Sequence, residues 1–494
     1  MDPPDPGPAG GGKGDALVAV CAGTAHREGG AAIPVRASAL RVLTRVDRGG
    51  AYADILLDRE QRRFADPRDR ALLTELVMGT LRRRGILDHS LSLHLERPID
   101  KADPVARNAL RLGAYQLFYL RVPGRAALHE TVEAAKALRG DRIGGLVNAV
   151  LRALLRSGEE PGRSAVELFA PPALYAALSG SLGREEADAF LAASLERPPF
   201  TIRANRFRTT REGLLSRLSN AGMDPSPCRF APDGIVLGEP GMVHADPGFR
   251  SGGYLVTDEG AQLIAPLLSP APGEELLDAC ASPGGKTTHL AALAGGKARI
   301  VATDLPGRLR ALEQTVSRLQ VTGVSLRPHD YSGGRLPKRA GEFDKILVDA
   351  PCTGMGVIRR NPDAKWRFLP ADPARMARLQ RSLLSNAWES LRPGGLLVYC
   401  TCTLFREENE QVVESFLAER PDALPVREPP PGWPGPGEAW TAEGYLRLLP
   451  HRHGTDGFFA AILARTGRQA RAGSGGEKGP LRRRPRGRID RTAA

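Results

Sequence analysis

Between residues 37 and 155, apolar side chains recur at the spacing of one helical face: Leu40, Leu43 and Val46; Leu72, Leu73, Leu76, Val77 and Leu81; Ala106, Leu110, Gly113, Leu117 and Leu120; Val147, Val150, Leu151 and Leu154. This predicts an all-helical domain over 35–156. Asp66 before Pro67 and Asp103 before Pro104 mark two helix starts, each placing a capping acceptor ahead of a proline whose missing N–H costs nothing there. Over 157–199, Leu174, Leu178 and Leu182 share one face and Phe190, Leu191 and Leu195 another, so helices tie this domain to the rest of the chain. A strand over Phe200–Ala204, a helix over 211–221 and a strand over Gly234–Leu237 then suggest a small α+β subdomain, completing the span 157–255. From 256 to 465 the two periods alternate: a helix over 258–268, strands over 275–279, 299–303, Val324–Pro328, 345–348 and 396–400, and a last apolar strand over 458–464. That alternation predicts a doubly wound α/β domain with a parallel sheet.

At 494 residues the chain exceeds what one core supports, roughly 250 to 300 residues. Residues 1–34, rich in Gly, Pro and Ala, and 466–494, rich in Arg and Gly, have no apolar period and are expected to be disordered; translation starting near Val35 is a further expectation. The formal charge of +13 points to a polyanionic partner, nucleic acid first, with a compositional bias toward Arg as the competing source. Six cysteines, at 21, 228, 280, 352, 400 and 402, are too few for a disulfide framework in so long a chain and suggest a reducing, cytoplasmic setting. No apolar run approaches the roughly 18 residues of a membrane span.

The strand over 275–279 runs into Cys280, Ala281, Ser282, Pro283, Gly284, Gly285 and Lys286, then a helix carrying Leu290 and Leu293. A glycine turn here lets a ligand approach the backbone and the helix N-terminus. It is neither a nucleotide P-loop, because Cys280 stands where the first glycine would be, nor G-x-G-x-x-G. Asp304, Asp330 and Asp349 close or follow successive strands and should meet at the carboxyl edge, where carboxylates suit ribose hydroxyls, a sulfonium and an ammonium; aspartates also end strands simply because they favour turns. Cys352 in Asp349-Ala350-Pro351-Cys352-Thr353-Gly354 and Cys402 in Tyr399-Cys400-Thr401-Cys402-Thr403 should emerge at the same edge. A thiolate can activate a poorly nucleophilic ring carbon by adding to its neighbour. Cys280 and Cys400 read as small buried hydrophobes, and Cys400-Thr401-Cys402 lacks the C-x-x-C spacing of thiol redox sites.

Together, Pro-Gly-Gly-Lys-Thr, Asp-Ala-Pro-Cys-Thr-Gly and Thr-Cys-Thr followed by Glu407-Glu408-Asn409 resemble the bacterial 16S ribosomal RNA cytosine-C5 methyltransferases of the RsmB (Sun, Fmu) type, over about 35–464. The resemblance implies a NusB-like helical RNA-binding domain, a small α+β subdomain and a Rossmann-like class I methyltransferase domain. It implies S-adenosyl-L-methionine as cofactor, held by Cys280 to Lys286 with Asp304, Asp330 and Asp349. It further implies Cys402 as nucleophile, Cys352 in release of the methylated base and Asp349 in orienting the base, with Lys286 facing the base or its phosphate. The family's usual Thr-Cys-Ser is Thr-Cys-Thr here, and Cys400 stands where Ala is common; neither departure removes a proposed catalytic group. The implied partner is RNA, 16S rRNA first, for a monomer without metal or membrane. Arg82, Arg83 and Arg84 stand as candidate phosphate contacts or a solvated face; Lys365 and Trp366 as phosphate contact and stacking platform, or, for Trp366, core. A methyltransferase acting on another RNA such as tRNA, and a non-catalytic rRNA-binding assembly factor, are the alternatives. A DNA cytosine methyltransferase would carry its nucleophile in the Pro-Cys loop and ordinarily lack the Thr-Cys pair, and an amino-group methyltransferase would need a polar-Pro-Pro-aromatic loop that is absent.

Overall fold

A computed structural model describes residues 35–49, 51–158, 165–238, 243–336 and 342–466. The expectations for 1–34 and 467–494 lie outside the described residues.

The first domain consists of α1 (Val35–Asp47), α2 (Ala53–Gln61), α3 (Pro67–Arg82), α4 (Arg84–Ser92), α5 (Pro104–Tyr119), α6 (Gly124–Arg139) and α7 (Asp141–Ser157). Both marked starts are real caps: Asp66 accepts from Arg68 N and Asp103 from Val105 N, each at 2.8 Å. Leu40, Leu43, Leu76, Val77, Leu110, Val147 and Leu151 bury into one core. Gly113 allows α5 and α7 to close on each other, since a Cβ there would stand 2.3 Å from Leu151 Cδ1.

Next come α8 (Pro172–Leu182) and α9 (Arg184–Ala193). Their Leu174, Leu178, Phe190 and Leu191 pack against Met355, Ile358, Leu404 and Phe405. The connecting helices therefore buttress two loops of the last domain. A small antiparallel sheet follows, ordered β2-β3-β1-β4 from β1 (Phe200–Ala204), β2 (Pro225–Pro227), β3 (Gly234–Leu237) and β4 (Tyr254–Val256), with α10 (Arg211–Asn220) on one face. Leu214 and Leu218 of α10 cover Ile202, Ile235 and Tyr254.

The last domain is an eight-stranded sheet. Its parallel strands are β5 (Glu275–Asp278), β6 (Arg299–Asp304), β7 (Val324–Pro328), β8 (Phe343–Asp349) and β9 (Leu391–Thr401). β10 (Ala423–Val426), β11 (Leu446–Leu448) and β12 (Phe458–Arg465) complete it in antiparallel pairings. The order β10-β12-β9-β8-β5-β6-β7 places β5 between β6 and β8. The chain leaves β5 in one direction and returns in the other, so a crevice opens at its carboxyl end. Helices α11 (Gly285–Leu293), α12 (Leu309–Leu319), α13 (Asp372–Trp388) and α14 (Glu410–Glu419) accompany the sheet.

Two expectations are corrected. The helix over 258–268 is instead a short turn of helix, Glu259–Gln262, and a 3₁₀ turn, Ala265–Leu268. Pro266 has no N–H to continue the ladder, and Leu263 and Ile264 between the pieces are buried. Arg82 and the Lys-Trp pair turn inward, whereas Arg83 and Arg84 stay half-buried. Lys365 is fully buried, its Nζ donating to the carbonyls of Arg82 at 3.0 Å and Phe169 at 2.8 Å. Trp366 Nε1 donates to Leu81 O at 2.8 Å, and buried Arg82 donates to Arg359 O at 3.0 Å. Arg84 lies 5.1 Å over the Trp366 ring and 3.5 Å from the Asp47 carboxylate, while Arg83 lies 4.5 Å over Tyr119. Of the five, Arg82, Lys365 and Trp366 dock the helical domain on the methyltransferase-like domain.

Burial, with the charges of Arg82 and Arg83 adding to it, pulls the Lys365 ammonium down to about 7. An unfolded lysine keeps its proton to about 10.4. The unfolded chain therefore binds the extra proton between these values, and stability rises with pH across that window by at most ~1.4 kcal/mol per pH unit. Chemical unfolding of the wild type and K365M from pH 7 to 10 tests this: the wild type should gain on the variant as pH rises, and a constant difference would contradict it.

Candidate active site

Strand register brings the chemistry to one edge. Asp278 pairs with Ala302 and Leu347, and Asp349 with Cys400, so the ends of β5, β6, β8 and β9 lie side by side. The turn after β5 is held from β6: Ala281 N donates to Thr303 O and Ser282 N to Asp304 Oδ2, each at 2.9 Å. Asp304 Oδ1 also accepts from Leu305 N at 2.8 Å. Gly284 takes a φ of +102°, which only glycine adopts easily, and leads directly into α11, whose N-terminus has no side-chain cap. Asp330 lies in a turn beyond β7, exposed, with its carboxylate accepting from Ser332 N at 2.8 Å and held below the usual range by hydrogen bonding to Ser332.

Asp278, the last residue of β5, does not stand out in the sequence. It is fully buried, one oxygen accepts from Thr287 Oγ1 at 2.6 Å, and the other has no partner among the described residues. Burial pushes its carboxyl up to about 7, with the Thr287 hydroxyl pulling the other way. The detectable signal is its place as the acidic residue closest before the glycine turn.

A second group stands beside this turn. Lys286 Nζ donates to Asp349 Oδ2 at 2.7 Å and lies 5.4 Å from the centre of the Phe458 ring. Burial opposes the Lys286 charge, but Asp349 and the neighbouring thiols outweigh it and hold the ammonium above its ordinary range. On the other carboxylate oxygen, the buried Cys400 thiol donates at 3.4 Å. Cys400 is therefore more than filler: with Lys286 it fixes the direction of Asp349.

The sulfurs of Cys352 and Cys402 face each other at 3.3 Å, both half-buried. The Cys402 contact and burial push the Cys352 thiol well above its ordinary range, so it stays protonated. What sets this separation is Glu408, fully buried behind the pair. Its Oε2 accepts from Thr353 N and Gln380 Nε2, each at 2.9 Å, and its Oε1 from the hydroxyls of Thr353 at 2.5 Å and Thr403 at 3.2 Å. The residues following each cysteine are thus tied to one carboxylate. Gln380, on α13, also donates to Pro351 O at 2.9 Å. Asn409 accepts from Thr401 Oγ1 at 2.6 Å and donates to Thr403 O at 3.1 Å, bracing Cys402 from both sides. Gly356 N donates to Cys402 O at 2.9 Å, an approach that a Cβ on Gly356 would block at 2.7 Å from that oxygen. The motif Glu407-Glu408-Asn409 is visible in sequence, but its work as a brace is not.

Three family models match successive parts of the chain: NusB over residues 34–156, the RsmF/B-like ferredoxin-like domain over 170–244, and 16S rRNA methyltransferase RsmB/F over 265–464. The chain is 36% identical over 446 residues to the probable ribosomal RNA small subunit methyltransferase B of Bacillus subtilis, covering 88% of this chain and 99% of that protein. It is 38% identical over 426 residues to ribosomal RNA small subunit methyltransferase B of Salmonella paratyphi B, covering 85% and 95%. The chain belongs to the RsmB/F family of 16S rRNA methyltransferases.

Among solved structures it is similar to PH0851, with TM-score 0.73 and 27% identity over 88% of this chain and 99% of that one. It is also similar to NSun6 from Pyrococcus horikoshii, solved with SFG, an analogue of S-adenosylmethionine, with TM-score 0.53 and 27% identity over 60% and 98%. This member of the RsmB/F family is a ribosomal RNA methyltransferase dependent on S-adenosylmethionine. Its crevice fits that cofactor: the sulfonium and ammonium match an edge bearing Asp278, Asp304 and Asp349, one of them with an unmatched buried oxygen. The cofactor supplies an electrophilic methyl group. Among the described residues, no helix is long and apolar enough to cross a membrane.

Substitution at the brace should separate catalysis from cofactor binding. E408Q keeps the volume but puts an NH2 group where one carboxylate oxygen accepted, so that the Thr353 and Thr403 hydroxyls must turn to accept instead of donate, which costs about 1 to 3 kcal/mol of stability. Because it loosens both thiol loops together, kcat should fall by ~100-fold, as for an ångström-scale misplacement, while cofactor affinity by calorimetry stays within twofold. A parallel loss of cofactor affinity would show that Glu408 supports the crevice as a whole.

Proposed function

We propose that this chain forms 5-methylcytosine at one cytosine of 16S rRNA through a covalent bond between Cys402 and the base, acting in the cytoplasm as a monomer. The observation that carries this reading is the pair of thiols 3.3 Å apart beside the Lys286–Asp349 pair, at the edge where the glycine turn opens. Cytosine C5 is too poor a nucleophile to take a methyl group unaided. The Cys402 thiolate adds to C6, forming the C6–S bond and moving electron density to C5, while N3 takes a proton from water and Asp349 accepts a hydrogen bond from that N3–H. C5 then bonds the methyl group as that carbon's bond to the cofactor sulfur breaks, with the electron pair staying on sulfur. The C5 proton passes to water, the C6–S bond breaks with its electron pair returning to Cys402, and N3 gives up its proton, which restores the aromatic ring. Cys352, protonated and in contact with the Cys402 sulfur, stabilises that sulfur as it leaves. Lys286 anchors Asp349 toward the base, and the turn from Cys280 to Lys286, with Asp304, Asp330 and Asp349, holds the cofactor.

The two thiols are expected to fail differently. C402A should give no detectable methyl transfer to 16S rRNA while cofactor affinity is retained. C352A should accumulate a protein–RNA adduct that survives denaturing electrophoresis. Labelled-cofactor assays with bisulfite mapping read the first and electrophoresis the second; turnover by C402A, or only free RNA with C352A, would overturn the corresponding role. Absence of methylation by the wild type on both protein-free and assembled 16S rRNA would favour another RNA or a binding-only factor.

A further inference from the structure

With Arg82 and Lys365 committed to the interior, the surface through which the helical domain meets RNA has to be sought elsewhere. The antiparallel pair α6 and α7 encloses an open groove of about 1020 Å³. Arg125, His129 and Lys136 line it from α6, and Asn148, Arg152 and Arg156 from α7. These positions follow helical spacing, so each helix turns one stripe into the groove. The start of α6 lies against the end of α7, because a Cβ on Gly124 would stand 3.1 Å from Leu155 Cδ1. Arg125 and His129 therefore come beside Arg152 and Arg156. The acidic lining residues, Glu133 and Asp141, sit at the opposite end, where Glu133 already binds Lys136 at 2.9 Å.

One half of the groove is thus cationic without a carboxylate in its lining to neutralise it. Arg125 and Arg156 are exposed and make no ion pair among the described residues, and Arg152 is steadied by Asn148 Oδ1 at 3.0 Å. Guanidinium groups set along a channel match successive phosphates of a strand, each offering a planar fork of donors. Leu155, 45% exposed on the wall, offers apolar surface to a ribose or base between phosphates. We propose that this groove binds the sugar–phosphate backbone of the substrate RNA, away from the thiol site, so that the helical domain supplies sequence-independent affinity. The inference rests on the RNA-methylating function proposed for the thiol site and names the surface that meets the substrate.

The test uses the full chain and protein-free 16S rRNA, with binding measured across salt concentrations. The triple variant R125A/R152A/R156A should lower the slope of log affinity against log salt by about 2 to 3, since each arginine removed frees one phosphate. It should weaken binding at least tenfold at ~0.15 M salt, as expected when two or more phosphates are no longer neutralised, and raise KM for RNA with cofactor affinity unchanged. A control, R62A/R68A/R299A, removes three exposed arginines elsewhere and should leave the slope near the wild-type value. A triple variant with the control's slope overturns the groove, whether or not it has lost affinity for an acidic protein. The slope is read without methyl transfer, so failure to find 5-methylcytosine would overturn the proposed reaction while the binding result still decides the groove.

Discussion

Glu408 accepts hydrogen bonds from the segments that follow both thiols, and the geometry of the site depends on that shared anchor. A buried carboxylate is costly unless its lone pairs are filled, and here the donors come from the loop after β8, the loop after β9 and α13. Burial raises the Glu408 carboxyl, and the bonds from Thr353, Gln380 and Thr403 oppose that rise. Two strand ends that could drift apart share an acceptor, so their sulfurs stay in contact without being bonded.

The same loops are gripped from the other domains. Met355, Ile358, Leu404 and Phe405 pack under α8 and α9. Arg360 binds Asp258 at 2.6 Å and Asp456 at 2.5 Å, tying the segment after Cys352 to the entrance of the domain and to the turn before β12. Five residues further, Lys365 and Trp366 close on the end of α3. The stretch from the thiol to the helical domain therefore has few free joints.

Much of this is legible locally. The Asp-Pro caps, the helical stripes around Leu76 and Leu151, and the alternation that yields β5 to β9 follow from propensity and period, which neighbouring residues alone determine. Cys352, Cys402, Asp349 and Lys286 meet because strand ends in a parallel sheet share an edge, so their juxtaposition can be read from motif positions. The errors come where distant contacts decide. Arg82 and Lys365 have the composition of a nucleic-acid surface, yet a carbonyl 283 residues away in sequence captures the lysine. The roles of Asp278, Glu408 and Asn409 are hidden for the converse reason: a single acid or amide in a loop has no periodic signature, and its partners are fixed only by the fold. Pro266 is visible, but its interruption of the 258–268 helix is masked by an otherwise apolar helical pattern.

The proposed mechanism turns on a bond between Cys402 and the base, and trapping tests it most directly. 16S rRNA containing 5-fluorocytidine has no removable C5 proton at the target, so the intermediate should persist after methyl transfer. Mass spectrometry of the digested complex should find the nucleotide on the peptide bearing Cys402, and only when S-adenosylmethionine has been added. A nucleotide on Cys352, or no adduct from an enzyme that methylates unmodified rRNA, would contradict the proposed mechanism.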